Sequence, residues 1–119
     1  EIATSDGSVL VHCTAGKDRT GVTVATTLCL LGADYADIVT DYALTAATMS
    51  DVHARIERRS LAGASLGAEL LADVLAAPHD AITAHLEALN SHKGGAEGWF
   101  FAHGGDPVTL DALRARLLA

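Results

Sequence analysis

Only one short run in this chain reads as a β-strand, and nearly everything after it reads as helix. Ser8-Val9-Leu10-Val11-His12 is apolar and β-branched and follows a turn signal at Ser5-Asp6-Gly7. A lone strand cannot satisfy its backbone hydrogen bonds, because a ladder needs a neighbour on at least one side. The pattern therefore predicts an α/β chain with one strand followed by four to six helices. The remaining strands of the sheet are expected from a preceding N-terminal segment or a second chain. Residues 1–119 are read as the C-terminal part of a single domain whose own start precedes Glu1.

Helical periodicity begins at Thr20, where Val22, Ala25, Leu28, Cys29 and Leu31 share a face and Gly32 is placed to end the helix. Asp34 is placed to cap a second helix running to about Met49, with Ile38, Val39, Tyr42 and Ala43 inward and Asp37 and Asp41 outward. Ser50-Asp51 signals another start before Val52–Arg59, where Arg55, Glu57, Arg58 and Arg59 leave a peripheral, solvated piece. Ser60 to Ala77, small and rich in Ala, Gly and Leu, is read as a mobile helical or loop insertion placed like a lid. Pro78 suits the first turn of a helix carrying Ile82, His85, Leu86 and Leu89, which fades over Asn90 to Gly95. Trp99, Phe100 and Phe101 are read as packing residues. Asp106-Pro107 opens a terminal helix with Leu110, Leu113, Leu117 and Leu118 inward and Arg114 and Arg116 outward.

Composition narrows the function classes. Half of the residues are hydrophobic and 19% are charged, so the chain is globular rather than disordered. Its formal charge of -7 argues against a surface built for nucleic-acid phosphates or anionic lipid, so any anion must be gripped locally. No apolar run approaches the roughly 20 residues of a membrane span, and Glu1 to Gly7 lacks the regions of a signal peptide. Two cysteines make no disulfide scaffold and fit a reducing compartment, so a cytoplasmic location is expected, with export without a signal peptide left open.

The chemistry concentrates in His12-Cys13-Thr14-Ala15-Gly16-Lys17-Asp18-Arg19-Thr20-Gly21, between the strand and the first helix, where open α/β folds place their ligands. Five residues separate Cys13 from Arg19, so the intervening main chain can curl around a tetrahedral anion with the N–H groups of Thr14 to Arg19 turned inward. Gly16 permits the tight turn. A thiol is a nucleophile only as thiolate, and a helix N-terminus, a ring of N–H donors and a guanidinium all favour the charged form of Cys13. Arg19 offers a planar fork matched to two oxygens of a phosphoryl group. Thr20 places a hydroxyl near the expected sulfur, and His12 suits an orienting role. Lys17 adds positive charge at the rim, beside the carboxylate of Asp18. A Walker loop does not fit, because Val11 occupies its first glycine position and Asp18 follows Gly16-Lys17 in place of a hydroxyl residue. Cys29 is read as a core thiol, and His53, His79, His85, His92 and His103 as ordinary histidines, with no metal site.

The motif His-Cys-x-x-Gly-Lys-Asp-Arg-Thr-Gly resembles the phosphate loop of the cysteine-dependent tyrosine phosphatases. Its Gly-Lys-Asp-Arg form is similar to the bacterial branch typified by mycobacterial protein tyrosine phosphatase B. Asp41-Tyr42-Ala43-Leu44 and the terminal Val108 to Leu118 extend the resemblance. It implies a phosphocysteine intermediate at Cys13, phosphate held by Arg19 and the loop amides, no cofactor or metal, and phosphotyrosine proteins or related phosphomonoesters as substrates. Phosphoinositides stay open, because the Lys17 position is also basic in lipid-directed relatives. The family's general acid is an aspartate upstream of the cysteine, outside this chain. Asp18 is the alternative, but it stands between Lys17 and Arg19, a poor setting for a group that must hold a proton. A phosphate-recognition module without turnover is the rival reading.

Overall fold

Helix α1, Asp18–Leu31, is the element around which the others assemble. The computed structural model describes residues 1–59 and 76–118, and α1 is followed there by α2 (Tyr35–Leu44), α3 (Ala46–Arg59), α4 (His79–Ser91), α5 (Gly95–Ala102) and α6 (Pro107–Leu117). α1 packs against α2, α4, α5 and α6, and α2 in turn packs against α3 and α4.

The expected strand is not formed. Among the described residues there is no strand and no sheet, so the α/β reading gives way to a helical arrangement. Residues 8–12 are not helical either, and Leu10 is 84% exposed. The physical reason lies in the ladder requirement: β-branched residues favour a pleated surface, but a strand exists only through hydrogen bonds to a neighbour. No segment among the described residues lies alongside to supply them.

α1 buries two faces rather than one. Ala25 enters a cluster with Ile38, Tyr42, Ala77, Ile82 and Leu86, against which Leu28 and Cys29 also pack. Leu30, which the single-stripe reading left out, enters a second cluster with Leu110 and Leu113, joined by Ile2, Ala3, Leu31 and Phe100. Val22, expected inside, is 42% exposed. Ile38, Met49, Ile82, Leu86 and Leu89 are almost wholly sequestered, and each is worth about 1.5–3 kcal/mol relative to an exposed side chain. Thr23, Thr26 and Thr27 in α1 each satisfy their hydroxyl by donating to the carbonyl one turn earlier.

The helix ends follow local chemistry, with three shifts. α1 starts two residues before Thr20 and stops at Gly32, where the Ala33 N–H returns to the Leu28 carbonyl at 3.0 Å. α2 ends at Leu44 rather than Met49, and α3 begins at Ala46 and runs straight through Ser50-Asp51. Thr45 between them keeps helical angles, so the junction is a bend, and the buried Met49 fixes the start of α3. Asp106 caps α6, its Oδ1 accepting the Thr109 N–H at 2.9 Å and its Oδ2 the Thr109 hydroxyl at 2.6 Å.

The terminal helix also departs from the expected pattern. Leu117 and Leu118 are exposed, whereas the two arginines read as outward are engaged. Arg114 donates through Nε to the Leu30 carbonyl at 3.1 Å and pairs with Glu97, satisfying the C-terminal end of α1. Arg116 donates to the Ser5 and Gly7 carbonyls and so holds the N-terminal segment against α6. Trp99 and Phe100 are half-buried and Phe101 is exposed; Trp99 stacks on His103 with centroids 4.5 Å apart. The insertion expected over Ser60 to Ala77 lies outside the described residues except for Ala76 and Ala77.

One histidine ties α4 to α1 in a pH-sensitive way. The Thr26 hydroxyl donates to Val22, so its oxygen accepts from His85 Nε2 at 2.8 Å. Burial pushes the His85 imidazole below its ordinary value of 6.5, so folding favours the neutral ring. Stability is then full above about pH 6.5 and falls as pH drops from there towards the folded-state value. The melting temperature should decline by a few degrees over that window, and His85→Gln should flatten the decline. An unchanged pH profile in His85→Gln would refute the assignment.

Candidate active site

The loop 12–17 runs into the N-terminus of α1, with Gly16 at φ +73°, a conformation that strains any side chain. Lys17 occupies the N-cap position and makes no side-chain cap bond, while its carbonyl accepts from Gly21 N–H at 2.6 Å. A serine or aspartate at that position would hold first-turn N–H groups with its own oxygen. Lysine cannot, so the amides at the start of α1 keep no side-chain cap and present the positive end of the helix dipole.

Cys13 stands at this end, half-buried, its thiol lowered from the ordinary value of 9.0 to about 6. The largest cause is the Thr20 hydroxyl, followed by the Thr20 main chain; burial opposes them, and the Gly16 and Ala15 main chain adds the smallest help. Thr20 Oγ1 is itself buried and makes no hydrogen bond of ordinary geometry among the described residues. A buried hydroxyl with its hydrogen uncommitted can donate to the sulfur when it becomes a thiolate. Thr20→Ala should raise the pH midpoint of Cys13 alkylation by at least about one unit, and Thr20→Ser should restore it. Alkylation at high pH, where the thiol ionises regardless, should stay unchanged. A midpoint still near that of the native protein in Thr20→Ala would remove the hydroxyl from the account.

Arg19 reaches across the mouth of the loop, its Nη2 donating to Thr14 Oγ1 at 3.3 Å. His12 Nδ1 lies 3.3 Å from the Cys13 carbonyl oxygen. Asp18 projects outward with its side chain 74% exposed, 3.7 Å from Lys17 Nζ. Lys17 does not line the rim as the sequence suggested: it is 8% exposed, and its ammonium donates to the Ala76 carbonyl at 2.9 Å. Cys29 packs against the first core cluster, and burial pushes its thiol up, opposite to Cys13. Among the described residues no three His, Cys, Asp or Glu side chains converge to hold a metal ion, and no helix is long and apolar enough to cross a membrane.

The model of the tyrosine phosphatase family matches residues 1–119. The chain belongs to that family. It is also similar to a tyrosine-protein phosphatase of Nostoc commune, with 36% identity over 122 residues. That match covers 97% of this chain and 40% of the relative, so the chain spans about two fifths of the length of the curated relative it matches. No solved structure matches it.

For this chain of the tyrosine phosphatase family, two contacts at the loop had no signature in the sequence. One is the Lys17–Ala76 bond, whose acceptor is a main-chain carbonyl. The other is the packing of Tyr42 on Gly21: a Cβ added at Gly21 would lie 2.6 Å from Cε2 of the Tyr42 ring. Gly21 is therefore a contact surface for α2, and Tyr42, buried at 6% exposure, braces the first turn of α1 from behind. A cavity of about 70 Å³ lined by Gly16, Thr20, Asp41, Tyr42 and Thr45 backs the loop there. The roomier apolar groove, about 370 Å³, is lined by the α1 residues Val22 and Leu30 together with Ile2, Trp99 and Phe100, and by no residue of the loop 12–19.

Proposed function

We propose that this chain carries the catalytic loop of a phosphomonoesterase working through a phosphocysteine intermediate, with phosphotyrosine and similar aryl phosphates as substrates. The observation that carries the reading is the Cys13 thiol held near 6 at the start of a helix with no side-chain cap, with Arg19 on the same loop. Above that pH the sulfur is a thiolate, the form able to attack phosphorus. Its lone pair forms the S–P bond in line as the P–O bond breaks, and the aryl oxygen departs with that bond's electron pair and takes its proton from solvent. Arg19 and the amides of Thr14, Ala15, Gly16, Lys17, Asp18 and Arg19 take up the charge on the three remaining oxygens. Water then attacks the phosphocysteine, the S–P bond breaks and the sulfur leaves as a thiolate, which the Thr20 hydroxyl is placed to receive. His12 steadies the Cys13 main chain.

Asp18, exposed and facing Lys17, is better suited to balancing that cation than to giving a proton to the leaving oxygen. The Gly16-Lys17-Asp18-Arg19 sequence supports placing the chain nearest the bacterial branch typified by the mycobacterial enzyme. With Lys17 drawn inward, phosphomonoesters without a second phosphate are favoured over phosphoinositides.

The test is hydrolysis of p-nitrophenyl phosphate by this chain and by a form extended upstream, with acid-quenched peptide mass spectrometry for phosphate on Cys13. Turnover with phosphate trapped on Cys13 is the expected result. Vanadate binding with no turnover in either form would instead favour a phosphate-recognition module, and absence of both would remove the phosphate loop from the account.

A further inference from the structure

We propose that Lys17 is a positioning residue, whose ammonium ties the phosphate loop to the lead-in of α4 and thereby holds the loop amides in their inward curl. The inference rests on the phosphatase reading of that loop, and its observations are independent of any ligand. Lys17 is the buried charged side chain among the described residues, at 8% exposure. An ammonium taken out of water is costly unless it finds hydrogen-bond partners, so its placement reports a specific engagement. That engagement includes a 2.9 Å bond to the carbonyl of Ala76, 59 residues away in sequence, with the Asp18 carboxylate at 3.7 Å.

Both ends of the tether are fixed. Ala77, next to the acceptor, is buried in the core cluster with Ala25, Tyr42, Ile82 and Leu86, and Pro78 follows it with φ at -67°. At the other end the Lys17 main chain is the N-cap of α1 and follows Gly16, the residue that turns the loop. A glycine at φ +73° followed by an N-cap without a side-chain cap bond is a stretch with little internal support. The ammonium supplies that support from outside the loop and leaves the first-turn N–H groups to the anion, which a capping serine or aspartate would not. This also explains why a lysine in a phosphate loop points away from the mouth.

The test uses the longest form of the protein that turns over p-nitrophenyl phosphate, with Lys17→Met, which keeps the stem and removes the donors, and Lys17→Arg, which restores a cationic donor. Lys17→Met should weaken vanadate binding about tenfold and raise KM, move the Cys13 alkylation midpoint upward, and speed amide exchange together at 15–19 and 76–77. Lys17→Arg should recover most of each effect. Weaker vanadate binding with alkylation and exchange unchanged would overturn the proposal in favour of a direct charge on the substrate. Native-like values throughout would overturn it in favour of a purely ornamental bond. Should Lys17→Met fail to fold, exchange in the native protein decides: vanadate should slow the amides at 15–19 and 76–77 in step, and slowing confined to the loop would refute the tether. Loss of the phosphatase reading is recognised separately, by a native protein that neither binds vanadate nor turns over.

Discussion

Cys13→Ser will bind vanadate about as tightly as the native protein while hydrolysing p-nitrophenyl phosphate more slowly by on the order of 10⁴-fold or more. The substitution leaves the loop amides and Arg19 in place and changes only the attacking atom. A serine hydroxyl titrates far above neutrality, and nothing at the start of α1 brings it into range, whereas the cysteine it replaces ionises near 6. The same value sets the pH dependence. Native activity should fall as pH drops through about 6, because the sulfur gains a proton there, and the fall should track Cys13 alkylation measured on the same protein. Steady turnover in Cys13→Ser would sink the covalent mechanism outright.

Arg19→Lys should cost about 10²–10³ in kcat, with phosphate and vanadate binding weakened as well. Charge is conserved, so a purely Coulombic role would leave most of the activity intact. The geometry argues otherwise: the guanidinium already spans the loop to reach the Thr14 hydroxyl at 3.3 Å, and its remaining donors can meet two phosphoryl oxygens in one plane. An ammonium offers donors around a point and cannot do both. A lysine variant within about threefold of native kcat/KM would show that the fork is not used.

How much of this the sequence alone makes legible follows from where each determinant sits along the chain. The loop 12–21 offered a reading because its chemistry is local, with the proposed nucleophile, glycine turn, guanidinium and helix start falling within ten consecutive residues. Pro78, Asp106-Pro107 and Gly32 marked helix ends for the same reason, since caps and turns are short-range. The strand at Ser8–His12 failed because β-branching describes a surface that suits a sheet without providing one. Lys17 was misplaced at the rim because its partner is a backbone carbonyl, a group every residue carries and no spacing advertises. The two-faced burial of α1 was missed because Leu30 lies off the stripe of Ala25 and Leu28, and only the arrival of α6 makes that side an interior. Asp51 looked like a cap, but the burial of Met49 carried the helix through it.

A helix gripped on both sides, by Ala25 in one cluster and Leu30 in the other, behaves as an axle whose bearings lie behind its working end, the nearer of them reaching its first turn through Tyr42. A change of volume in either cluster rotates or slides α1 slightly, and the loop amides at its tip sweep through the larger arc. Adjustments to how the site grips an oxyanion can therefore enter through substitutions that never touch residues 12–19, and the two clusters can compensate one another's errors. In directed evolution of this chain, gains in catalytic fit should accumulate in pairs, one member on each side of the axle.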